Sequence, residues 1–266
     1  MHDRTVVVEG RAVKLLEAGR GPAVVLLHGL LGSPDYLVPL ARSLARHRRV
    51  VVPALPGHGG SDRLRPFTLA GAADHLAAAV AQLGIERPAV LGHSYGVPVA
   101  VEWAARHPVS SLVCASPIGI APLPLDASRP LLRMAPAVSV AARLLAPAVA
   151  ATSIGRRLAF GWFVGVPQPD VVDQPLGTRL LRGAAAAAPA LEEALPPLSG
   201  LDLRPVAARV GCRSLVIWGD RDSHAPGNGV ELAAALGGET AVLPGVGHMP
   251  MIEVPYSFRV AIDPFI

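Results

Sequence analysis

Apolar residues fall along this chain in short unbroken blocks that alternate with stretches of helical spacing. The block Ala23–Leu27, bracketed by Gly21-Pro22 and His28-Gly29, shows no in–out alternation and so predicts a strand covered on both faces. The runs 50–53, 89–91, Ser111–Ala115, 214–218 and 240–243 predict further strands. Ahead of them, 5–9 and 12–17 are rich in strand-forming residues and are parted by Gly10-Arg11, which predicts a hairpin. Residues 34–45 place Leu37, Leu40 and Leu44 at helical spacing behind Pro34, a residue suited to a first helical turn. Residues 68–83, closed by Gly84, and 95–107, 203–210 and 230–236 predict further helices. This order implies right-handed crossovers and an α/β fold, a mostly parallel central sheet with helices on both faces.

The rhythm stops between 117 and 200. Pro122, Pro124, Pro130, Pro136, Pro147, Pro167 and Pro169 are among the prolines there, and the helix-prone pieces 133–145 and 183–188 lie between prolines. A bare loop of this length does not fit a compact domain. The expected organisation is a core from 1–116 and 201–266, with 117–200 inserted as a helical cap, or lid.

Composition narrows the reading. Hydrophobic residues make up 51% of the 266 and charged ones 17%, enough to bury an extensive core. With aromatics at 4%, that core has to be built from Ala, Val and Leu. The net charge is +4, but Lys14 is the only lysine and the arginines are scattered, without the interleaved aromatics of a nucleic-acid surface. The densest cluster, Arg46-His47-Arg48-Arg49, sits where a helix should end, and positive charge suits that position. Nucleic acid is therefore not an expected partner.

Cys114 and Cys212 lie in apolar sequence and are expected as buried thiols. The opening Met1-His2-Asp3-Arg4 does not resemble a secretory signal. The most apolar stretch, 131–151, is interrupted by Arg133, Pro136, Arg143 and Pro147, so no stable membrane insertion is expected. These features imply a soluble, cytoplasmic protein. The oligomeric state is left open.

The chemistry gathers in three places. Gly92-His93-Ser94-Tyr95-Gly96 sits between a predicted strand and a predicted helix, the context of a sharp turn that presents a strained serine. A serine hydroxyl becomes a nucleophile only when a base within hydrogen-bond reach takes its proton. Of the downstream histidines His107, His224 and His248, His107 ends the helix that begins at the turn and so points away. His248, in Gly245-Val246-Gly247-His248-Met249-Pro250, follows the last predicted strand, at the sheet edge where a site residue belongs. An acid that orients the imidazole is expected after 214–218, where Asp220 and Asp222 compete.

With His28-Gly29, Pro56-Gly57-His58-Gly59-Gly60-Ser61-Asp62, Trp218-Gly219-Asp220-Arg221-Asp222 with Pro226, and Gly247-His248-Met249-Pro250 with Glu253 and Pro255, these motifs resemble the α/β-hydrolase superfamily. The branch resembled is that of capped esterases, perhydrolases and carbon–carbon bond hydrolases. The resemblance implies a catalytic triad of Ser94, Asp222 and His248, the spacing from the preceding glycine and to the following proline selecting Asp222 over Asp220. It also implies an oxyanion hole made by the backbone N–H groups of Leu30 and Tyr95. His28, His58 and Asp62 are expected to hold loops. Serine at position 94 excludes the members with an aspartate nucleophile, and Val97-Pro98 departs from the family's usual glycine after the turn.

The expected activity is that of a serine carboxylesterase (EC 3.1.1) acting on a small hydrophobic ester. The cap's larger apolar side chains, Phe160 and Trp162 among them, are expected to line the substrate pocket. No cofactor and no metal are expected: the triad and oxyanion donors supply the chemistry, and neither cysteine has a partner at metal-ligand spacing. The same triad also serves carbon–carbon bond hydrolases, lactonases, thioesterases and perhydrolases. A non-catalytic ligand receptor on this fold would not need all three residues.

Overall fold

The computed structural model describes residues 1–120, 143–162 (Trp162 by its backbone), 164–224 and 228–266. Eight strands form one sheet in the order β1-β2-β4-β3-β5-β6-β7-β8. They are β1 (His2–Val8), β2 (Arg11–Ala18), β3 (Ala23–Leu27), β4 (Arg49–Pro53), β5 (Ala89–His93), β6 (Ser111–Ala115), β7 (Arg213–Gly219) and β8 (Glu239–Leu243). Strands β1 and β2 pair antiparallel with each other, as do β2 and β4. From β4 to β8 every pairing is parallel, with Val25 beside Val90, Val90 beside Leu112 and Leu112 beside Ser214. The expected fold class is thus the observed one.

Pleating sends successive side chains to opposite faces, and the sheet's two faces carry two separate cores. Val25, Leu27, Val51, Val90, Leu112 and Val216 face one cluster. Val24, Leu26, Val50, Leu91, Val113 and Ile217 face the other. Helices α2 (Leu69–Ala81) and α3 (Gly96–Arg106), with the later helix Asn228–Leu236, close the first through Leu76, Val101 and Leu232. The second is closed by α1 (Val38–Leu44) and by the terminal helix Pro255–Ile262 through Leu40, Leu44, Phe258 and Ile262. Each fully buried side chain of this size contributes about 1.5–3 kcal/mol.

Three elements differ from the sequence reading. The hairpin turn sits one residue earlier, at Glu9 and Gly10, both with positive φ (49° and 77°). Residues 34–45 split into a 3₁₀ turn, Pro34–Leu37, and then α1. The helix Pro255–Ile262 was not anticipated, although Pro255 suits its first turn and Phe258 and Ile262 lie four residues apart on its buried face.

Between β6 and β7 the described residues form only helical elements. Residues 143–151 are helical, followed by Ser153–Arg156, Arg157–Trp162 and the main helix Gln174–Ala187. That helix begins well before the 183–188 piece marked in the sequence, because Asp173 caps it by accepting from Leu176 N–H at 2.7 Å and Pro175 occupies its first turn. Most of the 133–145 piece lies outside the described residues. Among the described residues no helix is long and apolar enough to cross a membrane.

Strand order fixes where a site can form. After β3 the chain moves outward to β4, then returns to the other flank of β3 to lay down β5. Crossovers leave β3 in opposite directions, opening a crevice at the carboxyl ends of β3 and β5. Gly29-Leu30 follows one strand and Ser94 follows the other.

Candidate active site

Ser94 occupies the left-handed region with φ 52°, a conformation unfavourable for a residue with a Cβ. Its surroundings enforce the turn. A Cβ at Gly92 would lie 2.5 Å from Gly96 O, and one at Gly96 would lie 2.5 Å from Leu27 O, so both positions require glycine. Ser94 N–H donates to Ala115 O at 2.9 Å, fastening the turn to β6. The departure at Val97-Pro98 is accommodated, since both are buried in the first turn of α3.

His248 and Asp222 come from two loops at the same sheet edge. His248 Nε2 lies 2.9 Å from Ser94 Oγ, and His248 Nδ1 lies 3.0 and 2.9 Å from the two Asp222 carboxylate oxygens. The carboxylate accepts only, so it fixes the imidazole proton on Nδ1 and leaves Nε2 bare for the serine hydroxyl. The side chains of His248 and Asp222 are 8% and 4% exposed, which strengthens the charge interaction between them. Burial works to raise the Asp222 pKa, but the hydrogen bond and charge of His248, with the N–H of His224, hold it below the usual carboxylate value. Asp220 is engaged elsewhere: its Oδ1 accepts from Gly245 N–H at 2.7 Å.

Two supports were given no role in the sequence reading. Glu253 accepts from Gly247 N–H and Met249 N–H, both at 2.9 Å, clasping the backbone on either side of His248. His248 N–H donates to Gly165 O at 3.1 Å, tying the same loop to the insertion. The second support is a buried chain of side chains. His93 Nε2 donates to His248 O (2.8 Å), so its Nδ1 is the acceptor. Tyr36 O–H donates to that Nδ1 (2.7 Å) and accepts from Gly29 N–H (2.6 Å). Burial, with the proximity of His248, depresses the His93 pKa to about 3, so it stays neutral and can play both parts. Glu253 had a signal, its place in the motif after His248. Tyr36 had none.

The remaining predicted residues divide. Gly29 N–H is taken by Tyr36, whereas the N–H groups of Leu30 and Tyr95 take no partner among the described residues. Tyr95 O–H donates to Ala194 O at 2.9 Å, a second tie to the insertion. His28 Nε2 accepts from Leu55 N–H (3.0 Å), His58 Nδ1 donates to Pro56 O (3.0 Å) and Asp62 accepts from Ala12 N–H (2.7 Å). His107 pairs with Asp74 at 2.7 Å. Phe160 is fully buried inside the insertion, in the cluster that holds Val166, Val172 and Leu176. The Trp162 side chain lies outside the described residues.

A family model described as alpha/beta hydrolase fold matches residues 22–255, and the chain belongs to that family. A pimeloyl-[acyl-carrier protein] methyl ester esterase of Chromobacterium violaceum is 32% identical over 249 residues, spanning 90% of this chain and 92% of that one. An uncharacterised protein of Mycobacterium tuberculosis is 28% identical over 281 residues, with 98% and 80% covered. Among solved structures, a thermophilic esterase from Thermogutta terrifontis superposes with a TM-score of 0.77 at 21% identity, covering 99% of this chain and 97% of that one. That last likeness concerns the fold.

Proposed function

We propose that the protein is a serine carboxylesterase (EC 3.1.1) that cleaves a carboxylic ester of a small hydrophobic molecule through an acyl-enzyme on Ser94. The observation that carries this reading is the continuous chain Ser94 Oγ, His248 Nε2, His248 Nδ1, Asp222, with every link at 2.9–3.0 Å. His248 takes the Ser94 proton as Oγ bonds to the ester carbonyl carbon, and Asp222 stabilises the imidazolium that results. The imidazolium then protonates the departing alkoxide as the carbon–oxygen ester bond breaks. Water, deprotonated by the same imidazole, releases the acid and restores Ser94.

The negative oxygen of each tetrahedral intermediate needs donors already in place. Leu30 and Tyr95 supply them from the ends of β3 and β5: the adjacent Gly29 N–H is committed to Tyr36, and Tyr95 opens α3, where first-turn N–H groups lack helical partners. The segment 117–200 acts as the cap that sets substrate choice, with the buried Phe160 supporting its apolar wall. The named esterase relative is in keeping with this reaction class. No metal or organic cofactor takes part in these steps, and a cytoplasmic location fits the composition.

The test is a chain-length panel of p-nitrophenyl esters run on the wild type and on Ser94→Ala, with a fluorophosphonate probe in parallel. The wild type hydrolyses the esters and is labelled at Ser94; the variant does neither and keeps its fold by circular dichroism. Labelling of another serine, or hydrolysis that survives in the variant, refutes the assignment.

A further inference from the structure

We propose that Asp222, His224 and His248 form a binding site for one divalent transition-metal ion, Zn²⁺ foremost, whose occupation reversibly switches the active site off. The effect on activity rests on the function proposed above; the metal site itself does not. Each of the three side chains offers a ligand atom, and those atoms lie within 4.8 Å of one another. Two imidazoles and a carboxylate suit Zn²⁺, Cu²⁺ or Ni²⁺, whereas Mg²⁺ and Ca²⁺ require oxygen donors.

The adjustment needed is small for Asp222 and His248 and asks a ring rotation of His224. Around zinc, with ligand bonds of about 2.0–2.2 Å, tetrahedral donors stand about 3.3–3.5 Å apart. The Asp222 carboxylate and His248 Nδ1 are already 2.9 Å apart and need only separate by a few tenths of an ångström. His224 is exposed and follows β7 on the same loop as Asp222, so it meets an incoming ion first. Its backbone N–H is bonded to Asp222 Oδ1 at 3.0 Å, which holds the residue beside the carboxylate. Its ring stacks on the His248 ring, with centroids 4.8 Å apart and planes at 28°. An imidazole binds a metal in its own plane, so the His224 ring turns out of the stack to close on the ion.

Metal binding and catalysis exclude each other through His248. Its Nδ1 is bonded to Asp222 and its Nε2 to Ser94. An ion at Nδ1 takes the place of that nitrogen's proton, which is released to solvent, and separates the ring from its acid. Ser94 is left without a properly oriented base, and a chelator restores it.

Zinc chloride titrated into chelator-treated protein, followed by isothermal titration calorimetry, tests the site directly; the rate of fluorophosphonate labelling at Ser94 is followed in parallel. The expected result is one Zn²⁺ per chain, loss of labelling with the same midpoint, and recovery of labelling with EDTA. His224→Ala weakens zinc binding at least about tenfold. Absence of stoichiometric binding, or binding that His224→Ala does not weaken, overturns the site. Binding that depends on His224 in a protein that is never labelled upholds the site and overturns the serine-hydrolase reading instead.

Discussion

His93 donates from Nε2 to the backbone carbonyl of His248, 2.8 Å away, across 155 residues of sequence. Each residue stands in a motif beside or within the triad proposed here. The bond locks the loop of the proposed general base to the turn that carries Ser94. Through Tyr36 the same chain reaches Gly29, next to the proposed oxyanion donor Leu30.

Tyr36→Phe removes the centre of that chain and leaves His93 Nδ1 and Gly29 N–H buried without partners. The expected cost is about 1–3 kcal/mol of stability for each group left unsatisfied. Ester hydrolysis should lose kcat rather than gain KM, because the groups displaced act on the reacting atoms. Thermal denaturation and steady-state kinetics check both; an unchanged melting temperature with wild-type kcat removes Tyr36 from the positioning role.

Asp222→Asn is expected to lower kcat by roughly 10⁴-fold, since an amide in place of the carboxylate no longer fixes the imidazole tautomer. Asp220→Asn keeps an oxygen that can accept from Gly245 N–H at the turn after β8 and gives up only the charge, so it should cost at most about 1 kcal/mol of stability with little change in kcat. Kinetics of the two variants side by side decide between the aspartates, and the reverse ranking transfers the role to Asp220.

Glu253→Gln keeps the side chain's shape but sets an amide group against one of the two N–H groups that the carboxylate now satisfies. The His248 loop should loosen, with kcat reduced several-fold while the probe still labels Ser94. Glu253→Asp, which shortens the reach to both N–H groups, should behave in the same way. If both variants match the wild type in kcat, the clasp is structural only.

Acid should destabilise the fold in a window set by its buried histidines. Burial, aided for each by a neighbouring histidine, depresses His28 and His93 from 6.5 to about 3. Below pH 6.5 the unfolded chain binds protons at these positions and the folded chain does not, so stability falls as pH drops from about 6.5 towards 3. The slope approaches roughly 1.4 kcal/mol per pH unit for each histidine. His58 and His75, also lowered by burial, add in the same sense. Glu253, raised by burial, opposes them by at most one proton. Urea midpoints between pH 7 and pH 5, where ordinary carboxylates stay largely ionised, isolate the effect, and a flat profile there contradicts it.

Phe160 fills the interior of the insertion beside Gly177 and Ala150. Phe160→Ala should destabilise by about 3–5 kcal/mol, as expected for emptying a buried aromatic site. If the insertion is the lid proposed above, Phe160→Leu should also shift ester-length preference by about 1–3 kcal/mol. A melting temperature that falls without any change in the ester-length profile makes Phe160 a purely structural residue.

Local pattern was enough for much of this molecule. The unbroken block Ala23–Leu27 is a strand buried on both faces because nothing in it suits water, and Gly92-x-Ser94-x-Gly96 marks a turn that backbone sterics permit in few other ways. Both are consequences of residues adjacent in sequence. Tertiary structure decided what depends on distant partners. Asp220 and Asp222 differ by two positions and share a chemistry; the spacing of the motif already pointed to Asp222, and the closeness of Gly245 to one and of His248 to the other supplies the physical reason. Tyr36 carries no motif; its role exists because the crossovers around β3 bring residues 29, 36, 93 and 248 to one sheet edge, where buried polar groups must find one another. The insertion's helices were under-read for the same reason: their prolines speak against regular structure locally, while burial against the core and caps such as Asp173 organise them.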